Sequence, residues 1–247
     1  MTRQTTSKEI LGVEWDYPVA STFADNKTKG HTIVAKASFA WKPENAFAKV
    51  AGDDKRPLLV FRECHACKGS EHALFSRRLN NEKTMLLLNW FHCVKLPAEV
   101  SKKNHPFHNV FKYKFGFRPH LFICTADGNN KVVFTGAQPQ SILQRELTKM
   151  IKLAYKKNPK PAIKAMMKCM TKFDMLDLRE QELLTMVDTA REEKGPKSSA
   201  VKKLEKTLAK VRKDKDRVWK TAKAVCDLKL KVVKADPVKK ATTKKGD

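Results

Sequence analysis

The chain has 247 residues, and its 51 Lys and Arg against 26 Asp and Glu give a net charge of +25. An apolar share of 41% is enough for a packed core and argues against wholesale disorder. No apolar run approaches the ~18 residues that a membrane-spanning helix needs, and residues 1–17 lack the apolar stretch of a secretory signal, so a chain starting at Met1 is expected to be cytoplasmic.

Residues 1–30 are polar and weakly patterned, and read as an N-terminal arm or loosely packed lead-in. His31 to Trp41 shows partial alternation and predicts a short strand. Pro43 to Val50 has proline at a helix start with Ala46, Phe47 and Val50 on one side, which predicts a short helix. Pro57 to Arg62 (PLLVFR) is a continuous apolar run, as in a strand buried on both faces. Cys64, His65, Ala66 and Cys67 follow directly, and Lys68 to Leu79 then reads as a helix. Thr84 to Leu96 is a second long apolar segment, expected as a strand. Ser101 to Lys114 is a polar connection.

His120 to Thr125 is the next expected strand, opened by Gly116 to Pro119. Asp127, Gly128, Asn129 and Asn130 are strong turn residues, and Lys131 to Thr135 answers as the second arm of a hairpin. Gln138 to Tyr155 has apolar residues at 142, 143, 147, 150, 151 and 154, a helical face. Beyond Asn158 and Pro159 the pattern is helical throughout. Ile163, Met166, Met167, Met170 and Phe173 form one stripe; Leu176, Leu183, Leu184, Val187 and Ala190 form another, expected to start at a cap on Asp174 or Asp177. Gly195 to Ser199 is a break. Val201 to Val232 carries an imperfect seven-residue spacing, which favours a helical hairpin over a long coiled coil. The chain thus divides into an arm (1–30), an α/β domain (31–157), a helical hairpin (158–233) and a disordered basic tail (234–247).

Six cysteines are too few for a disulfide-stapled scaffold in this length and read as redox, metal-binding or core residues. Cys64 and Cys67 are the sharpest pair. A cysteine in the first turn of a helix meets unpaired N–H groups and the positive end of the dipole, which stabilise its thiolate. A second thiol one turn on can close a disulfide, so the spacing suits thiol–disulfide exchange; it also supplies half of many zinc sites. A cationic His65 between the thiols would favour the thiolate, and Lys68 could add positive potential.

The segment from Lys55 to about Tyr155 resembles the thioredoxin-like superfamily. The matching pieces are the strand Pro57 to Phe61, the cysteine pair followed by Lys68, Tyr113 to Pro119, the hairpin around Asp127 and Gly128, Gly136, and the closing helix from Pro139. The lead-in Trp41 to Lys55 is similar to the short helix before the first core strand in bacterial members. The resemblance implies a thioredoxin-like fold, a central mixed sheet flanked by helices, with the α-helical C-terminal part as an extension. It implies a thiol–disulfide oxidoreductase in which Cys64 attacks, Cys67 resolves, and Pro119, in the family's cis-proline place, faces them and shapes the groove for a protein disulfide or small thiol substrate. No dissociable cofactor is implied. The chain departs from the family in its short loop, only Arg62 and Glu63 before Cys64, and in lacking a buried acid on the first strand, which leaves Glu63 as the nearest proton acceptor. Arg118 stands where an apolar residue or Thr is usual and would lower the thiolate pKa if it faced Cys64.

Two other functions compete. In a metal-binding regulator, Cys64 and Cys67 would be joined by Cys93 and Cys124, or by His92 or His120. In a binding module, the basic C-terminal part would dock an acidic partner, since residues 197–247 hold 18 Lys and Arg against 6 Asp and Glu. Trp219 is almost alone there as an aromatic, so any nucleic-acid contact would be led by phosphate and sensitive to salt. The sequence contains no glycine-rich nucleotide loop, H-E-x-x-H or G-x-S-x-G, and it sets no oligomeric state.

Overall fold

In this computed structural model the described residues are 3–19, 46–63, 81–102, 105, 107–108, 120–134 and 138–231. The strand expected at 31–41, the helix expected at 68–79 and the tail from 234 lie outside them.

Strand β1 (Leu58–Arg62) is buried along its whole length because it lies inside a four-stranded mixed sheet of order β2-β1-β3-β4. β2 (His92–Leu96) runs parallel to it, with Leu58 opposite His92 and Arg62 opposite Leu96. β3 (Leu121–Cys124) is antiparallel to β1, with Phe61 opposite Leu121, and β4 (Val132–Phe134) closes the hairpin on β3. The turn between them needs Gly128, at φ +83°, where a Cβ would lie 2.6 Å from the Phe47 ring. The Asp127 carboxylate holds the turn by accepting from Asn129 N–H at 3.1 Å and from the Thr125 hydroxyl at 2.5 Å.

Side chains alternate across the sheet. Leu58, Val60, Val94, Leu96 and Phe122 pack on one face with Phe107 and with the short helix Ala46–Ala51. Leu59, Phe61, Leu121 and Ile123 fill the other face. There they meet a helix over Glu82–Leu88 and a longer one over Gln140–Ala154. Numbered along the chain with the first helix Thr5–Ile10 as α1, these three are α2, α3 and α4. The segment Thr84 to Leu96, expected as one strand, is therefore α3, a turn and β2. Its first half is Met and Leu, good helix formers without β-branching, and its backbone turns over Asn89 to Phe91 before the ladder begins.

Helix α5 (Pro159–Lys194) is capped by the Asn158 side chain, which accepts from Lys160 N–H at 3.1 Å, and its proline at the first position lacks only an N–H that has no helical partner. Gly195, at φ +77°, ends it. Helix α6 (Ser199–Cys226) returns antiparallel as the second arm of the expected hairpin. The apolar core runs across the boundary expected at residue 157: Ile163, Met166, Met170 and Phe173 of α5 and Ala222 of α6 belong to the cluster that contains Leu59 and Phe61.

Two further expectations change. Residues 3–19 are docked, not loose. α1 lies along α5, with Ile10 in the core and the Ser7 hydroxyl donating to Met170 O at 3.0 Å. Asp16 extends the sheet beside β2, donating to Cys93 O at 2.9 Å and accepting from Lys95 N–H at 2.8 Å. Asp174 and Asp177 do not start a second helix, because α5 is continuous through both. They are buried at its middle and accept from the other segment instead: Asp174 from Gln4 N–H at 2.8 Å and Arg3 at 2.6 Å, Asp177 from Thr6 N–H and its hydroxyl at 2.9 Å each and from Lys215 at 2.8 Å. Among the described residues, no helix is long and apolar enough to cross a membrane.

Candidate functional site

The antiparallel pairing of β1 and β3 sets the carboxyl end of one beside the amino end of the other. Arg62 N–H donates to His120 O at 2.7 Å across that edge, and Glu63 N–H donates to Leu96 O of β2 at 2.8 Å. The chain leaves this edge from Glu63 into Cys64 and returns to it from Pro119 into His120. Cys64, His65, Cys67, Arg118 and Pro119 themselves lie outside the described residues.

Arg62 is the buried charged residue of this edge, only 4% exposed, with the half-buried Glu63 next to it. Its guanidinium donates to Glu63 O at 3.0 Å and to His120 Nδ1 at 3.2 Å. Arginine offers only donors, so Nδ1 must accept and the His120 proton sits on Nε2. Burial, reinforced by the Arg62 charge, lowers the His120 pKa and favours the neutral ring. The edge thus combines the buried Arg62 cation, the neighbouring Glu63 and a neutral imidazole. A buried cation favours the ionised form of an acid placed near it. Neither contact was foreseen in the sequence, although an arginine closing an otherwise apolar strand just before a cysteine is a visible irregularity.

Other expected ligands are spread across the sheet. Cys93 stands opposite Leu59 and Cys124 opposite Leu58, at the end of β1 away from Cys64. Three residues of strand separate Leu59 from Arg62, roughly 10 Å. Cys93 faces the α4 side and Cys124 the α2 side, with β1 between their strands, so one ion cannot bind both. Burial pushes each thiol up to about 12, as expected of core cysteines. His92 pairs with Leu58 at the same far end, its Nε2 at 3.2 Å from Asp16. Of these candidates only His120 stands at the edge that adjoins Cys64. Among the described residues no group of three or more His, Cys, Asp or Glu is arranged to hold a metal.

A cavity of about 460 Å³ lies where α1, α3, α5 and α6 meet, with Phe91, Met166 and Trp219 in its wall. Its lining holds Glu9 and Glu14 as well as Arg56 and Lys223, so it favours neither charge. No family model, curated protein or solved structure matches the chain.

Proposed function

We propose that this chain is a thioredoxin-like protein that carries out thiol–disulfide exchange through Cys64 and Cys67. One observation carries the reading. A proline that precedes one strand can face cysteines that follow another only if those strand ends lie side by side. The 2.7 Å hydrogen bond from Arg62 N–H to His120 O is that adjacency. The parallel pair β1 and β2, joined by the segment that begins with the cysteines, also supports it, because parallel strands require a crossover connection.

The chemistry balances as follows. The Cys64 thiolate attacks one sulfur of a substrate disulfide, forming a mixed disulfide and releasing a substrate thiolate. Cys67 then attacks the Cys64 sulfur, the second substrate thiolate leaves, and the two electrons gained by the substrate come from the Cys64–Cys67 pair. An external thiol or dithiol reductant restores the pair. Arg62 favours the thiolate electrostatically, and the neutral His120 is a proton carrier at the same edge.

The test is a redox titration read by thiol alkylation and mass spectrometry. A reversible two-electron transition of the Cys64–Cys67 pair between roughly −120 and −270 mV is expected, with disulfide reductase activity lost in Cys64→Ser. If no Cys64–Cys67 disulfide forms at any potential, exchange is excluded. A second reading, in which the α/β half is a scaffold and the helical hairpin binds an acidic partner, is favoured by the charge distribution on α6.

A further inference from the structure

Helix α6 sorts its cations by face. Those turned toward α5 are neutralised: Lys215 by Asp177 and Glu180, and Arg212 by Glu180, all at 2.8 Å. Those turned away are not. Lys203, Lys206, Lys210, Lys213, Arg217 and Lys220 follow one another at alternating steps of three and four residues, and all are exposed. At 3.6 residues per turn they fall within an arc of about 100° opposite the buried Val201, Leu208, Val211 and Ala222, over about 25 Å of helix. The acids of the helix, Glu205, Asp214 and Asp216, lie outside that arc. Only Arg217 has an ion pair, with Asp214 at 2.8 Å; the five lysines have none among the described residues. Like charges at these spacings repel, so the row works against the helix until a polyanion covers it.

From this row we infer that the outer face of α6 binds the phosphate backbone of a nucleic-acid duplex, independently of sequence. A duplex offers one charge per about 1.7 Å of its axis with both strands counted, so 25 Å of helix runs alongside a stretch that carries about 15 phosphates. The arc contains Ala224 but no large apolar side chain to enter a lipid bilayer. It has no ring on which unpaired bases could stack, because Trp219 is turned to the core, 5.0 Å from the Phe173 ring. Lysines act as point charges on phosphate and do not discriminate between bases as a bidentate arginine does.

The test uses the full chain and a fluorescent 20-base-pair DNA duplex of random sequence, titrated at 50 and 200 mM NaCl. With five cations engaged, affinity should fall about 500-fold between these salts. The fourfold reversal K203E/K206E/K210E/K213E should weaken binding at 50 mM at least 100-fold and flatten the salt dependence. The equal reversal K160E/K164E/K168E/K172E on exposed positions of α5 should change it less than threefold, and Cys64→Ser should not change it at all. Circular dichroism must show both reversals as helical as the parent; if the first is not, the Lys→Gln set at the same four positions replaces it. Equal loss in both reversals would reduce the effect to net charge. Full binding by the α6 reversal would move it to residues 232–247, which keep their five lysines in every variant. Tighter, α6-dependent binding to phosphatidylserine vesicles than to the duplex would make the partner a membrane surface. Any of these three results overturns the inference.

Discussion

The sheet and the outer part of the helical hairpin are held by different forces. Every residue of β1 is buried, and four of its five side chains are apolar and meet apolar partners on both faces. The hairpin beyond the sheet has a much thinner seam, Leu183, Leu208 and Val211 with Leu176 and Leu204 at its margin. Charge supplements that seam: Lys215 joins Asp177 and Glu180, and Asp177 joins Thr6. The difference teaches where the molecule responds to its surroundings. Apolar burial is indifferent to pH and weakly sensitive to salt, whereas a carboxylate cluster titrates.

The sheet should give the largest effect. Phe61 is fully buried, its ring centroid 6.0 Å from Trp15, and Phe61→Ala should cost about 3–5 kcal/mol by urea unfolding with little dependence on pH. Next comes the ionic centre. Asp177→Ala leaves the Thr6 N–H and hydroxyl without their acceptor and Lys215 with Glu180 alone, and should cost about 2 kcal/mol. Burial raises the pKa values of Asp174 and Asp177, but hydrogen bonds from Gln4 and Arg3, and from Lys215 and Thr6, outweigh it and hold both below the ordinary value. Their stabilisation is therefore complete above about pH 4 and lost as pH falls through the lower folded values. Unfolding measured from pH 5 to pH 2.5 should show this loss, and Asp177→Asn should flatten the curve. An unchanged slope would mean that the cluster contributes nothing through charge. The smallest effect belongs at the tip, where the exposed pair Arg191 and Glu205 meets at 2.8 Å. Glu205→Ala should change stability by less than about 0.5 kcal/mol, and 1 M salt should erase the difference.

The same contrast explains what could be read in advance. β1, β3, β4 and the 140–154 helix were legible because periodicity and turn chemistry are local. The segment 84–96 misled because a short apolar run does not distinguish a buried helix from a strand. Asp174 and Asp177 were legible as acceptors for free helix N–H groups and misplaced by 170 residues or more, since the amides they satisfy belong to Gln4 and Thr6. Acceptor chemistry does not say which helix it serves. At the candidate site the cysteine spacing was visible in the sequence, but the Arg62–His120 contact depends on strand pairing across 58 positions and was not.

Thr6 and Asp177 are 171 positions apart, and Lys215 comes later still. At roughly 5–20 residues per second, a growing chain carries Thr6 for roughly 10–35 s before Asp177 is made. Throughout that interval Ile10 lacks the α5 surface against which it is later buried, and the polar groups of residues 3–7 are held by water. Docking of this segment is thus a late event of synthesis, after the sheet's own strands have all left the peptidyl-transferase centre.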